Sequence, residues 1–272
     1  MGFDPEFPID FDAMARLRTW NALHLLNLES CDVGVSPTAW QRSRHPAIDQ
    51  PKIELVHVGV DTNLLGPDDL AHLTLPNGVT VKAGQPLITY VARNLEPYRG
   101  FHSFMRALER IQQSHKTSHT IIVGGDDVRY GQKPKDAPNW REKMLSQVKL
   151  DPACTHILGR VPYETYRKVL QVSAAHVYLT YPFVLSWSML EAMASGCLVI
   201  GSRTPPVQEV IEDRRNGLLV DFFDPRDIHD HVIEALGSPE SMVPLRQQGL
   251  AQVREQYSLK LGEQAYRRLL KD

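Results

Sequence analysis

Apolar residues at Met14, Leu17, Trp20 and Leu23 recur at helical spacing and predict an amphipathic helix over 12–27. A short strand at 33–35 follows, closed by Ser36-Pro37, then a helical turn after Thr38. The alternation Lys52-Ile-Glu-Leu-Val-His-Val58 reads as a strand that stops at Gly59, a candidate boundary. Between 63 and 85 the run Leu73-Thr-Leu-Pro-Asn-Gly-Val-Thr-Val81 predicts a small hairpin around Pro76-Asn-Gly78.

From Leu87 the rhythm changes. Apolar runs at 87–92, 120–123, 156–158, 176–179 and 197–201 alternate with helical patterns at 101–114, 140–149, 163–171 and the segment starting near Ser186. An element at 206–211, a strand at 218–220 after Asn216-Gly217, and helices from 227 to 270 complete the chain. Strands alternating with helices of about ten residues predict an α/β fold with a Rossmann-like, doubly wound parallel sheet that takes ligands at the carboxyl ends of its strands.

The helix near 187 is the first candidate for chemistry. Ser186 or Ser188 can cap it, and the N–H groups of its first turn, at Trp187, Ser188 and onward to Leu190, lack internal partners and favour an anion. Glu191 follows Ser186 by five positions, so at about 1.5 Å per residue its carboxylate stands roughly 7 Å along the axis, a spacing that suits phosphate and ribose. Gly196 supplies a left-handed exit. A plain helix-strand unit with a solvated acid fits the same residues.

Arg93 and Arg99 bracket the loop after the first strand of the repeating half, where such sheets hold phosphates. A surface ion pair such as Arg99 with Glu96 is the alternative for that loop. Gly125, in Gly124-Gly125, permits close backbone approach or only a turn. Arg160 and Val161, in Gly159-Arg-Val-Pro162, offer backbone groups to a base edge, and Glu209 offers an acceptor for a ribose or sugar hydroxyl.

The chain has 272 residues and a formal charge of −2, enough length for a sizeable core and no general pull toward nucleic acid or anionic lipid. Cys31, Cys154 and Cys197 are widely spaced, which suggests neither a disulfide framework nor a metal cluster. The histidines are scattered, with no His-Glu-x-x-His, and no Gly-x-Ser-x-Gly, Walker loop or Gly-x-Gly-x-x-Gly is present. Hydrolase, kinase and dehydrogenase readings lose ground accordingly. No apolar run reaches the roughly 18 residues of a membrane span, and the acidic opening lacks the marks of a signal peptide, so a cytoplasmic location is expected.

The runs Val91-Ala-Arg-Asn-Leu-Glu-Pro-Tyr-Arg-Gly100, Leu190-Glu-Ala-Met-Ala-Ser-Gly196, Val207-Gln-Glu-Val-Ile211 and Asn216-Gly-Leu-Leu-Val220 stand in the order found in the GT-B retaining glycosyltransferases of glycosyltransferase family four. The likeness resembles that family's C-terminal, donor-binding half and runs from about Val33 onward. It implies a nucleotide-sugar donor, an unknown acceptor, diphosphate binding by Arg93 and Arg99, ribose binding by Glu191, and no metal, because basic residues and a helix end replace it. It also implies an organisation of 1–60 as the remnant of an N-terminal acceptor domain, 61–86 as connector, 87–258 as the nucleotide-sugar domain and 259–272 as a C-terminal helix.

This sequence departs from the family at two places. The family motif has an acid eight positions before Glu191, where Phe183 stands here, and a family member has a whole N-terminal Rossmann-like domain. Chemistry of this class needs donor and acceptor held across a closing cleft. The expectations are therefore a glycosyltransferase incomplete without that domain, or a catalytically inactive nucleotide- or partner-binding module. A separate N-terminal-domain subunit, or self-association through Leu17, Trp20 and Leu23, follows as the expected partner. A nucleotide-sugar epimerase of the same fold would share the donor site.

Overall fold

The computed structural model describes residues 2–7 and 11–270, so positions 1 and 8–10 of the first predicted segment and 271–272 of the last lie outside the described residues. It opens with α1 (Phe11–Ser30), β1 (Gly34–Ser36), α2 (Ala39–Ser43) and β2 (Ile53–Leu55). The strand predicted over 52–58 is thus only three residues long. β1 and β2 pair in parallel as a two-stranded sheet. β3 (His72–Thr74) and β4 (Thr80–Lys82) form the expected antiparallel hairpin around Asn77-Gly78.

The repeating half carries β5 (Leu87–Asn94), α3 (Phe101–Ser114), β6 (His119–Gly125), α4 (Trp140–Gln147), β7 (Thr155–Gly159), α5 (Tyr163–Gln171), β8 (Ala175–Tyr178), α6 (Trp187–Ala194), β9 (Val199–Ser202), α7 (Pro205–Gln208), β10 (Leu218–Val220), α8 (Pro225–Gly237), α9 (Val243–Gln256) and α10 (Leu259–Leu269). The element expected over 206–211 is the short helix α7. The six strands are parallel, in the order β10-β9-β8-β5-β6-β7. The chain grows outward from β5 through β6 and β7, then returns to lay β8 on the other side of β5. The switch in direction therefore lies between β5 and β8, where the outgoing loops diverge and leave a crevice at the carboxyl edge.

Strand alternation sorts the core into two faces. Ile88, Tyr90, Ile122, Val177, Ile200 and Leu218 pack with the α3 residues Phe104 and Leu108 and the α8 residues Ile228 and Val232 on one side. On the other, Val199 and Leu219 pack with Met189, Leu190 and Met193 of α6, and Leu87, Ile121 and Val123 pack under α5 and the hairpin. Full burial of each such side chain contributes about 1.5–3 kcal/mol, so both faces must be covered for the sheet to stand.

A polar cluster sits inside this packing. Thr89 Oγ1 lies 2.7 Å from Ser173 Oγ and 2.8 Å from His176 Nδ1, and His176 is fully buried. Burial pushes the His176 pKa down to about 4 from 6.5. A base whose folded pKa is depressed stays neutral in the fold while the unfolded chain takes up a proton, so its stabilising contribution is complete above 6.5 and is lost as pH falls toward 4. Thermal melts should show Tm dropping across that window, with a shallower slope in His176→Asn. The remaining slope belongs to His57 and His156, which burial also lowers. Equal slopes in the two proteins would show that His176 does not set the acid limb.

Among the described residues no helix is long and apolar enough to cross a membrane. α1 is the outlier of the fold: none of its residues is buried, and Phe11, Trp20, Leu23 and Leu26 are each more than half exposed.

Candidate functional site

The β5–β8 crevice is built by a short turn at the end of β5. Pro97–Arg99 forms a single 3-10 turn, and Gly100 follows with φ of +68°. A Cβ at Gly100 would lie 2.4 Å from the Cβ of Leu179, so only glycine lets the β5 loop pass this close to the loop after β8. That approach delivers Arg99 to the crevice. Its backbone carbonyl accepts a 2.6 Å hydrogen bond from Tyr90 OH, which fixes the turn to the core.

The Arg99 side chain is 8% exposed. Its Nη1 donates to Thr180 Oγ1 at 2.9 Å, to the Val184 carbonyl at 3.2 Å and to Tyr178 OH at 3.4 Å. All three acceptors are neutral. Among the described residues no acid lies within ion-pair distance of the guanidinium, and Nε and Nη2 have no acceptor. A buried charge without a counter-ion costs several kcal/mol, and a free Nε–Nη2 edge is the geometry that takes two oxygens of a phosphate or carboxylate.

Tyr178 joins this cation to the start of α6, because its hydroxyl also accepts a 2.8 Å bond from Ser186 N–H. Ser186 is the N-cap, its Oγ accepting from Ser188 N–H at 3.4 Å and lying 2.9 Å from Ser188 Oγ. Gly196 ends the helix region with φ of +80°, as its place in the sequence predicts. The Leu190 side chain is fully buried and Trp187 is half exposed, so Leu190 has only backbone to offer a ligand.

Glu191 faces α5. It accepts from Tyr166 OH at 2.6 Å and Tyr163 OH at 3.3 Å. Burial and this carboxylate together push the Tyr163 pKa up to about 12, so both phenols keep their protons and remain donors at neutral pH. Held this way, the carboxylate is oriented yet retains lone pairs for further hydroxyls.

The other predicted residues are distributed around the same edge with different fates. Arg93 is exposed on β5, six positions before Arg99, with no side-chain partner among the described residues. Gly125 lies under Arg160, whose Nε would be 2.6 Å from a Cβ there, and Arg160 donates to Asn94 Oδ1 at 3.0 Å and Asp127 Oδ2 at 2.7 Å. Val161 packs at the rim of the core under α5. The Glu209 carboxylate accepts from Ala39 N–H at 2.8 Å and from Trp40 N–H, capping α2. The unpaired amides at a helix start out-compete solvent for that acid. A cleft of about 520 Å³ beside it is lined by Arg203, Asp213, Arg215 and Gln252 and includes neither Arg99 nor Glu191.

Residues 2–7 run across this edge as well. Asp4, 1% exposed, accepts from Tyr181 OH at 2.7 Å and lies 3.0 Å from His102 Nε2, while Glu6 accepts from Arg106. Burial opposes ionisation of Asp4, but the bonds from His102 and Tyr181 outweigh it and hold the carboxyl below its usual range. Tyr178, Thr180, Val184, Tyr163 and Tyr166 were not singled out from the sequence; tyrosines on a strand or helix and a loop threonine carry no local mark of what faces them.

Known proteins fit this arrangement. Residues 85–238 match the family model described as glycosyl transferases group 1, and residues 1–65 match the glycosyl transferase family 4 group. A D-inositol 3-phosphate glycosyltransferase of Nocardioides sp. is 27% identical over 195 residues, 67% of this chain and 40% of that protein. The chain thus spans less than half the length of that curated relative. Anabaena HepE, solved with UDP and glucose, superposes with a TM-score of 0.75 at 15% identity, over 93% of this chain and 66% of its own. Sucrose-phosphate synthase of Thermosynechococcus elongatus gives 0.74 at 20% identity, over 93% and 62%. These likenesses place the sheet in a GT-B-type fold. Since the larger family match takes in more than half of its residues, the chain belongs to the glycosyl transferases group 1 family.

Proposed function

We propose that this chain binds a nucleotide sugar and supplies the donor half of a retaining glycosyltransferase. The observation that carries the reading is Arg99: a buried cation whose Nε and Nη2 have no acceptor among the described residues, at the topological switch point and bonded through Tyr178 to the start of α6. Arg99 and the α6 amides stabilise the leaving diphosphate as charge develops on it, with Arg93 as a second cation and without need of a metal. Glu191, oriented by its two tyrosines, holds the ribose diol. Gly125, Arg160 and Val161 face the base, and one fold neighbour was solved with UDP and glucose.

Sugar transfer also needs an acceptor surface, and the exposure of α1 supports the reading that it attaches there. A parallel pair of three-residue strands beside an unburied helix that exposes Phe11, Trp20, Leu23 and Leu26 supports a further α/β layer covering them. A second α/β unit, on this or another polypeptide, completes it. Calorimetry with UDP, GDP and ADP is expected to show binding of at least one by the chain alone, with donor turnover appearing only when such a unit is added. Absence of affinity for all three would remove the reading. Phe183, an apolar side chain where the family motif has an acid, favours a second reading as a nucleotide-binding module without turnover; binding that persists with no turnover in the completed assembly would select it.

A further inference from the structure

Arg99 is held by more than its hydrogen bonds. Its guanidinium carbon lies 5.6 Å from the ring centre of Tyr130 and 5.7 Å from that of Phe183, and the two rings meet each other at 4.7 Å and 66°. Tyr130 belongs to the segment between β6 and α4, which has little regular structure of its own. What fixes it is Glu96, 1% exposed, whose carboxylate accepts from the backbone N–H groups of Tyr130 and Gly131 at 3.1 Å and of Arg129 at 3.4 Å. Amide donors satisfy the buried carboxylate and keep it directed away from Arg99, three positions along the same turn.

Resting on the nucleotide-sugar reading above, we propose that Phe183 and Tyr130 are positioning residues that clamp Arg99 as an un-neutralised fork, with Glu96 anchoring the loop that brings Tyr130 in. Aromatic rings attract a guanidinium without cancelling its charge, so they can hold it in one plane and leave its Nε–Nη2 edge open to two phosphoryl oxygens. With the Phe183 ring centre 5.7 Å from the guanidinium carbon, a glutamate there would bring its carboxylate within ion-pair reach of Arg99 and compete with the ligand for it. With Tyr130 packed on the other ring contact, an acid at 183 is expected to weaken diphosphate binding in this chain.

The experiment is calorimetry with whichever of UDP, GDP and ADP binds the unaltered protein, repeated on Phe183→Glu, Phe183→Gln, Glu96→Gln and Arg99→Ala, with thermal melts confirming that each is folded. Phe183→Glu is expected to weaken binding by about 100-fold and its isosteric neutral partner Phe183→Gln by less than about tenfold, a split that bulk or packing alone would not produce. Glu96→Gln, which turns an N–H₂ group toward the loop amides, is expected to weaken binding about three- to tenfold and to speed proteolysis within 126–139. Equal affinities for the Glu and Gln variants at 183, or tighter binding with Glu, would overturn the clamp. Unchanged affinity and proteolysis in Glu96→Gln would overturn the anchoring. Either result, with Arg99→Ala still abolishing binding, leaves the nucleotide-sugar reading standing; no binding by the unaltered protein removes that reading first.

Discussion

Arg99→Ala should lower nucleoside-diphosphate affinity by at least two orders of magnitude while the protein stays folded. The open edge of the guanidinium offers two charge-assisted donors, each worth about 1.5–3 kcal/mol, and every 1.4 kcal/mol is tenfold in affinity. The stability outcome separates this from a packing defect. In the ligand-free protein the guanidinium is buried against neutral acceptors only, so removing it relieves a desolvation cost while giving up three hydrogen bonds. A melt within a few degrees of the parent is expected. Arg99→Lys keeps the charge but not the fork, and should fall between, about tenfold weaker than the parent. Arg93, exposed and without a side-chain partner among the described residues, should matter less and in a salt-dependent way. Undiminished affinity in Arg99→Ala by calorimetry would sink the site assignment.

Gly262→Ala is expected to destabilise the chain by more than about 3 kcal/mol, toward or beyond the upper end of ordinary overpacking. A Cβ at Gly262 would stand 2.0 Å from the Val58 carbonyl oxygen, 2.5 Å from its carbon and 2.7 Å from the His57 oxygen. These are backbone atoms, so no rotamer change relieves the clash and α10 must move bodily. That movement would break the crossing it seals, where Val60 N–H donates to the Tyr257 carbonyl and Leu259 N–H donates to the Val60 carbonyl, both at 2.8 Å. At about 2–4 °C per kcal/mol for a chain of this size, Tm should fall by roughly 6–12 °C. A melt superimposable on the parent would show that α10 does not contribute to the fold in the way its packing implies.

Much of the architecture was legible because its signals are local. α3 and α5 begin and end where their apolar spacing says, the hairpin turns at Asn77-Gly78, and Ser186 caps α6. Each depends on residues a few positions apart. Glu209 could not be read this way: its partners, Ala39 and Trp40, are 170 and 169 positions distant, and an acid on a loop looks alike whether it meets solvent, sugar or a helix start. Glu96 posed the opposite difficulty, since a surface pairing with Arg99 was the simple alternative and the fold instead turns it inward to the loop at 129–131.

The order of apolar and polar positions by itself determined that this chain makes a parallel sheet covered on both faces, and that basic residues and a capped helix stand at its carboxyl edge. Which of those groups meet was decided only when β8 inserted beside β5. That strand order sets Arg99 against Tyr178, Thr180 and Val184, 79 to 85 positions away, and no local preference encodes it. The physical reason is that strand order follows from burying both faces of the whole sheet, a collective term no single segment carries.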